Sequence, residues 1–388
     1  MHSQPLEGLR VLDLTRLLPG PLATQHLADH GAEVIKIEDT GAGDYARTMG
    51  PMQGESSYFF QVVNRNKKSL RLDLKQERGR ELFLRLAATA DVLVEGFRPG
   101  VMHKLGLDYE AIARVNPRLV YCSISGYGQT GPYALRAGHD INYIGYAGVL
   151  DQTGTAGSAP ALPNLQIGDL LGGTLCSLVG MLIAIIDART SGQGRHVDVA
   201  MSDGVLAHAI FPLLEVLSRG AVRPRGEDLL TGGVPCYGVY ETADGRYMAV
   251  GALEEKFWNG VCDTLGRPDL KSVHLASGEE GARARAAVAD LFRTRTQADW
   301  VALFDDVDCC VTPVLTLEES LQNAHIQARG MVTEVGGMRQ FAPPFGLSGL
   351  AREGWAPAPE AGADSDALLR QLGLSADEIV TLRRTGVI

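Results

Sequence analysis

Leu9-Arg-Val-Leu-Asp-Leu14, Pro21-Leu-Ala-Thr-Gln-His-Leu-Ala-Asp-His30 and Glu33-Val-Ile-Lys-Ile-Glu38 decide the fold of this chain. The first run is short and apolar and reads as a strand. The second reads as a helix, with a proline near its first turn and Gly31 just past its end. The third reads as the next strand. A helix between two strands returns the chain to the edge it started from, so the two strands run parallel.

Working outward, the alternation continues. Ser69–Leu74 reads as a strand, Glu77–Ala90 as an amphipathic helix and Asp91–Glu95 as a strand. A helix at Asp108–Asn116 stops at Pro117, and Leu119–Ser125 is another strand. This is the pattern of an α/β domain with a mainly parallel sheet. Residues 126–168 are glycine-rich and read as irregular, and a loop of that length in a compact domain is usually functional. Leu170–Ile186 carries no charge and mimics a membrane span. Its Gly172, Gly173, Thr174, Ser177 and Gly180 instead favour a closely packed core helix or a subunit interface. A strand at His196–Ala200 and a helix from Ser202, kinked at Pro212, follow. After Arg223-Pro-Arg-Gly226 the pattern changes. Tyr237–Glu241 and Tyr247–Gly251 read as a hairpin turning at Asp244-Gly245. The expected layout is a large domain over 1–200, a linker over 201–225, a smaller α+β domain over 226–322, and a C-terminal segment over 323–388. In that last segment, Ser375 and Glu378 form a capping box.

Bulk properties narrow the function. A chain of 388 residues suggests two domains. A net charge of -10 argues against nucleic acid as the main partner, since phosphate backbones need a basic footprint. The six cysteines show no C-x-x-C and no zinc spacing, which reads as a reduced, cytoplasmic protein. The start, Met-His-Ser-Gln-Pro-Leu-Glu, has no signal-peptide pattern, and no membrane association is expected.

Motifs narrow it further. Gly41-Ala-Gly43-Asp lacks the third glycine of a dinucleotide fingerprint and follows the second strand, which disfavours a nicotinamide enzyme. His26 and His30 stand four apart on a helix, but no third ligand accompanies them, so no metal is expected. Lys67, Lys68, Arg71, Lys75, Arg98 and Lys104 read either as solvated charge or as a phosphate collar. Arg98 fits the collar best, because Glu95-Gly-Phe-Arg-Pro-Gly100 follows a strand, where open α/β sheets bind ligands. Asp169, in Asn164-Leu-Gln-Ile-Gly-Asp-Leu-Leu-Gly-Gly173, reads as the N-cap of the apolar helix or as a buried acid of raised pKa. His139 and Asp140 lie in Gly138-His-Asp-Ile-Asn-Tyr143, and a histidine on a glycine-bounded loop suits acid–base work. Glu254 opens a helix, where its plain role is to favour the dipole.

These segments together resemble the family III CoA-transferases, the CaiB/BaiF superfamily, and most of all its α-methylacyl-CoA racemase branch. The resemblance runs through Pro5-Leu-Glu-Gly-Leu-Arg-Val-Leu-Asp-Leu14, Pro19-Gly-Pro21, Leu27-Ala-Asp-His-Gly-Ala-Glu-Val-Ile-Lys-Ile-Glu38 and Asn64-Arg-Asn-Lys-Lys-Ser69. It continues through Leu93–Gly100, Ser123–Pro132 and Gly192-Gln-Gly-Arg195 to the ending Ile379–Ile388. It implies a large Rossmann-like domain with a smaller one, and an interlocked homodimer. It also implies an acyl-CoA substrate of lipid metabolism, with coenzyme A as part of the substrate and no tightly bound cofactor.

Carried over by matching position, the CoA site would use Leu18, Pro19, Leu72, Asp73, Leu74, Lys75, Gly96, Phe97, Arg98, Lys104, Ala137 and Gly138. Many relatives place an arginine after the second strand. Here that position is Asp39, for which Arg47 or Lys36 would substitute. The resemblance makes His139 and Asp169 an acid–base pair, with Glu254 and Asp140 orienting His139. It implies a racemase working by 1,1-proton transfer, with backbone N–H groups at the Asp169 helix start holding the enolate. The alternative is a CoA-transferase in which Asp169 is the nucleophile.

Overall fold

A computed structural model describes residues 4–388 of the chain. Its main sheet has six parallel strands: β1 (Arg10–Asp13), β2 (Glu33–Glu38), β3 (Lys68–Arg71), β4 (Val92–Glu95), β5 (Val120–Ser125) and β6 (His196–Ala200), in the spatial order β3-β2-β1-β4-β5-β6. Leu12 lies level with Ile35 on one side and Leu93 on the other. Successive residues of a strand face opposite ways, so β1 feeds two cores. Leu12 and Leu14 pack with Leu82, Phe83 and Leu86 of the helix Glu77–Ala87 and with Leu368, Leu369, Ile379 and Leu382 near the C-terminus. Val11 and Leu9 pack with Ala23 and Leu27 of the helix Pro19–Ala28 and with Met181, Ala184 and Ile185 of the helix Cys176–Ser191. Each such aliphatic side chain removed from water contributes about 1.5–3 kcal/mol. The sheet is therefore covered on both faces, and ligands have access at its strand ends. The strand order reverses between β1 and β4, and a crevice at the carboxyl ends of those strands is where such sheets bind ligands.

The chain divides into two compact units. The larger runs to Ala147 and takes in Leu165–His208 and His325–Ile388; the smaller comprises Gly148–Asn164 and Ala209–Ala324. In the smaller unit, β7 (Tyr237–Glu241), β8 (Tyr247–Gly251) and β9 (Val311–Pro313) form an antiparallel sheet with β8 central. One face packs on Trp258, Phe292, Trp300 and Phe304, and both indole N–H groups reach backbone carbonyls, Leu270 at 2.9 Å and Phe292 at 2.8 Å.

Four sequence readings need correction. Residues 148–164 group with the smaller unit, not with a block over 1–200. The cause is Arg225, read as linker, which donates to the Asp151 carbonyl at 2.7 Å, to its carboxylate at 2.8 Å and to the Ser158 carbonyl at 2.5 Å. The span 201–225 is largely helical: Met201–His208, then Ile210–Arg219. The helix breaks before Pro212 rather than kinking at it. A proline there has no N–H for the His208 carbonyl and its ring clashes with it, so the chain restarts with Pro212 in a first turn. Residues 126–168 are not wholly irregular, since Asp140–Tyr146 is a helix.

Candidate active site

Two helix starts of the larger unit meet at the predicted acid. Asp169 lies in Gly168–Leu175, a widened π-helical turn that leads into Cys176–Ser191. Such turns recur at functional sites because they displace side chains from the regular helical register. Asp169 does not cap the helix; the cap position is Ile167, with no side-chain hydrogen bond. The Asp169 N–H instead donates to Asp140 Oδ1 at 3.1 Å, on the first turn of Asp140–Tyr146. Gly168 permits this approach: a Cβ there would sit 3.0 Å from Asp140 Oδ1 and 3.3 Å from its carbonyl oxygen. Small residues seat the rest of the turn. A Cβ on Gly172 would lie 2.2 Å from the Met201 carbonyl, one on Gly173 would lie 2.6 Å from Pro19 Cβ, and the Thr174 hydroxyl donates to the Pro19 carbonyl at 2.8 Å.

This packing sets the acidity of Asp169. Burial pushes its carboxyl up to about 6, the Asp140 carboxylate adds to the rise, and the charge of His139 acts in the opposite sense. His139 occupies the cap position of Asp140–Tyr146 and is exposed. Its backbone is fixed on both sides: its N–H donates to Asn142 Oδ1 at 3.0 Å and its carbonyl accepts from Asn142 N–H at 2.8 Å. No hydrogen bond joins its imidazole to Asp140 or Asp169, whose own contact is the Asp169 N–H to Asp140 Oδ1 bond. Asp140 is thus spent on the Asp169 backbone, not on orienting His139 as the sequence suggested. The expected anion-stabilising N–H groups are also partly spent, since Asp169 N–H goes to Asp140 and Leu170 N–H to the Gln166 carbonyl at 2.8 Å.

Tyr143, unremarked in the sequence, closes the cluster. Its hydroxyl donates to the Gly138 carbonyl at 2.5 Å. Burial, with Asp169 as the nearest acidic influence, raises it to about 12, while Arg98 acts the other way. Glycine makes its berth: a Cβ on Gly126 or Gly138 would fall 2.3 or 2.7 Å from the Tyr143 ring. Glu254 lies on the smaller unit, exposed, at the cap position of Glu255–Thr264, where its side chain makes no capping bond.

Of the residues the resemblance suggests for CoA, those at 72–75 and 96–98 directly follow strands of the larger unit. Leu18 and Pro19 follow Leu17, whose φ of 64° is left-handed and held by a 3.0 Å bond from its N–H to Asp44 Oδ1. Gly20 is required there, because a Cβ would lie 2.3 Å from Thr15 Cβ. Gly96, Phe97 and Arg98 follow β4, with Phe97 N–H donating to Glu95 Oε2 at 2.7 Å. Burial pushes the Glu95 carboxyl up to about 7. Arg98, Lys104, Lys75 and Ala137 are exposed, and Gly138 is half-buried. Leu72 is buried in the core and Leu74 packs against it, while Asp73 binds backbone: its N–H donates to the Val387 carbonyl and its carboxylate accepts from Lys75 N–H.

The substitutes expected for the missing arginine do not serve. Lys36 is fully buried against Asp44 at 2.8 Å, and Arg47 is locked on Glu38 at 2.6 Å. Arg16 instead offers a half-buried guanidinium, which donates to Asp39 at 2.7 Å and lies over the Tyr45 and Phe97 rings at 5.0 and 5.4 Å.

Residues 6–365 match the family model described as CoA-transferase family III. The chain is 36% identical to human alpha-methylacyl-CoA racemase over 385 residues, covering 99% of this chain and 97% of that protein. It is 35% identical to acetyl-CoA:oxalate CoA-transferase of Acetobacter aceti, covering 89% and 90%. A crystal structure of a CAIB/BAIF family protein from Brucella suis superposes with a TM-score of 0.84 at 31% identity, covering 96% of this chain and all of that one.

Proposed function

The chain belongs to CoA-transferase family III, and from that premise we propose that it racemises 2-methylacyl-CoA thioesters by 1,1-proton transfer at the α-carbon. The observation that carries the reading is the docked pair of helix starts, which keeps an Asp169 carboxyl with a pKa of about 6 under the influence of His139. The thioester carbonyl acidifies the α-C–H bond. Neutral His139 takes that proton, leaving an enolate whose charge faces the new imidazolium. The Asp169 carboxyl returns a proton to the opposite face and becomes a carboxylate. The reverse direction exchanges the roles, and the pair ends holding the one proton it began with. A carboxyl whose pKa is raised towards neutrality suits such a shuttle.

The CoA moiety would enter as part of the substrate. Its phosphates would pair with the exposed cations Lys75, Arg98 and Lys104, and Arg16 would face its adenosine end beside Phe97. Leu72, Asp73 and Leu74 would contribute backbone only. A second copy of the chain would cover the apolar stripe Leu175, Val179, Ile183 and Ile186 along Gly168–Ser191, of which Ile183 and Ile186 are 64% and 66% exposed. That helix is also long and apolar enough to cross a membrane. Ile183→Lys should dissociate a dimer in light scattering; a monomeric parent chain would refute the pairing.

A second reading rests on Asp169 alone. Its ionised fraction would attack the thioester and form an acyl-enzyme, as a CoA-transferase requires. Incubation with a 2-methylacyl-CoA in D₂O, with no acceptor acid, separates the two. Deuterium at the α-carbon with loss of optical purity supports the racemase. Its absence, together with CoA transfer once free acids are added, overturns it.

A further inference from the structure

A cavity of about 650 Å³ lies wholly within the smaller unit. The strand register builds its floor. Tyr237 lies opposite Gly251, Val239 opposite Ala249, and Ala249 opposite Thr312, so these five residues share one face of the β7-β8-β9 sheet. The other face, with Tyr240, Met248 and Val250, belongs to the unit's core, and Tyr240 and Val250 also reach the cavity from it. The floor sets Val239, Ala249 and Gly251 between Tyr237 and Thr312, and Val239, midway along the edge strand β7, stays 64% exposed. The glycine-rich turns at 154–156 and 226–232 form the rim.

Arg285, on the helix Gly278–Phe292, is the one charged residue of this lining. It is half-buried, its guanidinium donates to the Gly233 carbonyl, and no carboxylate pairs with it among the described residues. A guanidinium offers five N–H donors in a planar fork that matches a carboxylate. With one carbonyl acceptor, the Arg285 guanidinium keeps donors for an anion in the cavity.

We propose that this cavity binds an aliphatic carboxylate, its chain on the Val239–Ala249 floor and its head on Arg285. The shared chemistry admits a free carboxylic acid or a carboxylate at the far end of an acyl-CoA chain. The inference does not depend on the racemase reading, because its test needs no turnover.

Cys310 gives an independent readout. It lines the cavity and is the only exposed cysteine among the described residues. The experiment uses the full-length protein and calorimetric titration with octanoate, 1-octanol and an ω-carboxyoctanoyl-CoA, each paired with the rate of Cys310 alkylation. Octanoate should bind and slow alkylation, and 1-octanol should bind at least about tenfold more weakly, the loss of one charged hydrogen bond. Binding of the ω-carboxyacyl-CoA but not of octanoate, abolished in Arg285→Met, would assign the cavity to an acyl chain's end instead. Arg285→Met should lower anion affinity at least about tenfold, and Arg285→Lys should retain most of it. An Arg285→Met chain that keeps the parent's circular dichroism but loses the anion preference confirms the assignment. Equal binding of acid and alcohol, or no effect of Arg285→Met, overturns it; so does the absence of binding by both carboxylates.

Discussion

The larger unit holds two clusters of ionisable groups that solve opposite problems. Beneath the Thr15–Pro19 turn, charge is buried and matched. Asp13 accepts from Lys67 at 2.9 Å, Thr24 at 2.7 Å and Thr15 at 2.5 Å; Lys36 meets Asp44 at 2.8 Å; and Arg47 grips Glu38 at 2.6 and 2.7 Å. Burial alone would raise the Asp13 carboxyl, but Lys67 and Lys36 hold it far below its usual range. Burial lowers Lys67 to about 8, although Asp13 opposes the drop. At Asp169, burial and a neighbouring carboxylate act in the same direction, and both raise its pKa. The matched cluster fixes the left-handed Leu17 through Asp44 and so shapes the turn. The mismatched one leaves a carboxyl poised to exchange its proton. Rigidity and reactivity are thus placed on separate elements, consistent with pKa perturbation marking functional sites.

The contrast breaks most sharply on catalysis. Asp169→Asn should reduce turnover by about 10³-fold or more, since it removes one of two groups that act as a unit. His139→Ala should abolish α-proton exchange to a similar degree. Full exchange in His139→Ala, measured by mass spectrometry in D₂O, would show that the exposed imidazole has no part in the chemistry. In the matched cluster the expected effect falls on stability. Lys67→Met strands Asp13 in the core and should cost about 3–5 kcal/mol. Urea melts followed by circular dichroism would measure it, and a loss below about 1 kcal/mol would mean that water reaches Asp13. Double replacement of Lys67 and Asp13 by apolar residues should recover part of the loss.

Between these extremes lie the pH effects, which have opposite signs. Folded Asp169 holds its proton to about 6, against 3.8 for the ordinary carboxyl. Its contribution to stability is therefore greatest at acid pH and is lost as pH rises from about 4 through 6. Asp169→Asn should stabilise the fold at neutral pH, on the order of 1–2 kcal/mol after allowing for partial exposure. Burial alone would raise Glu38, but its bonds to Arg47 and the charge of Lys36 hold it at about 2, against 4.5. Its contribution is present above 4.5 and is lost as pH falls towards 2. A stability–pH curve of Glu38→Gln that parallels the parent's between those values would contradict this assignment.

The sequence disclosed the sheet because period and punctuation are local. Leu9–Leu14, Gly31 and Glu33–Glu38 carry their own strand, stop and strand signals. It pointed to Asp169 and His139 as candidates less directly, through resemblance, since each alone also reads as a helix-end residue. What it hid depends on long-range partners. Asp140 reads as a neighbour of His139, yet its carboxylate reaches across 29 residues to the Asp169 N–H. Arg16 gives no sign of its role until Asp39 is seen beside it, and Arg225 reads as linker until Asp151 folds back upon it. The lysines of Asn64–Ser69 read as surface charge, yet Lys67 is fully buried, because three oxygens within 2.9 Å replace its water.

The smallest expected effect tests the mismatch itself. Asp140→Asn keeps an Oδ1 acceptor for the Asp169 N–H, so the docked helix starts should persist, but it removes the neighbouring negative charge. Burial is the larger cause of the raised Asp169 pKa and is untouched. The pKa should therefore fall only part of the way, moving the limb that Asp169 sets in the pH–rate profile, the alkaline one in the direction where Asp169 donates, down by about half a unit. An unmoved limb would mean that the two carboxyls do not sense each other and that burial alone poises Asp169. A limb moved upward would mean that the asparagine has opened the junction and buried Asp169 more deeply.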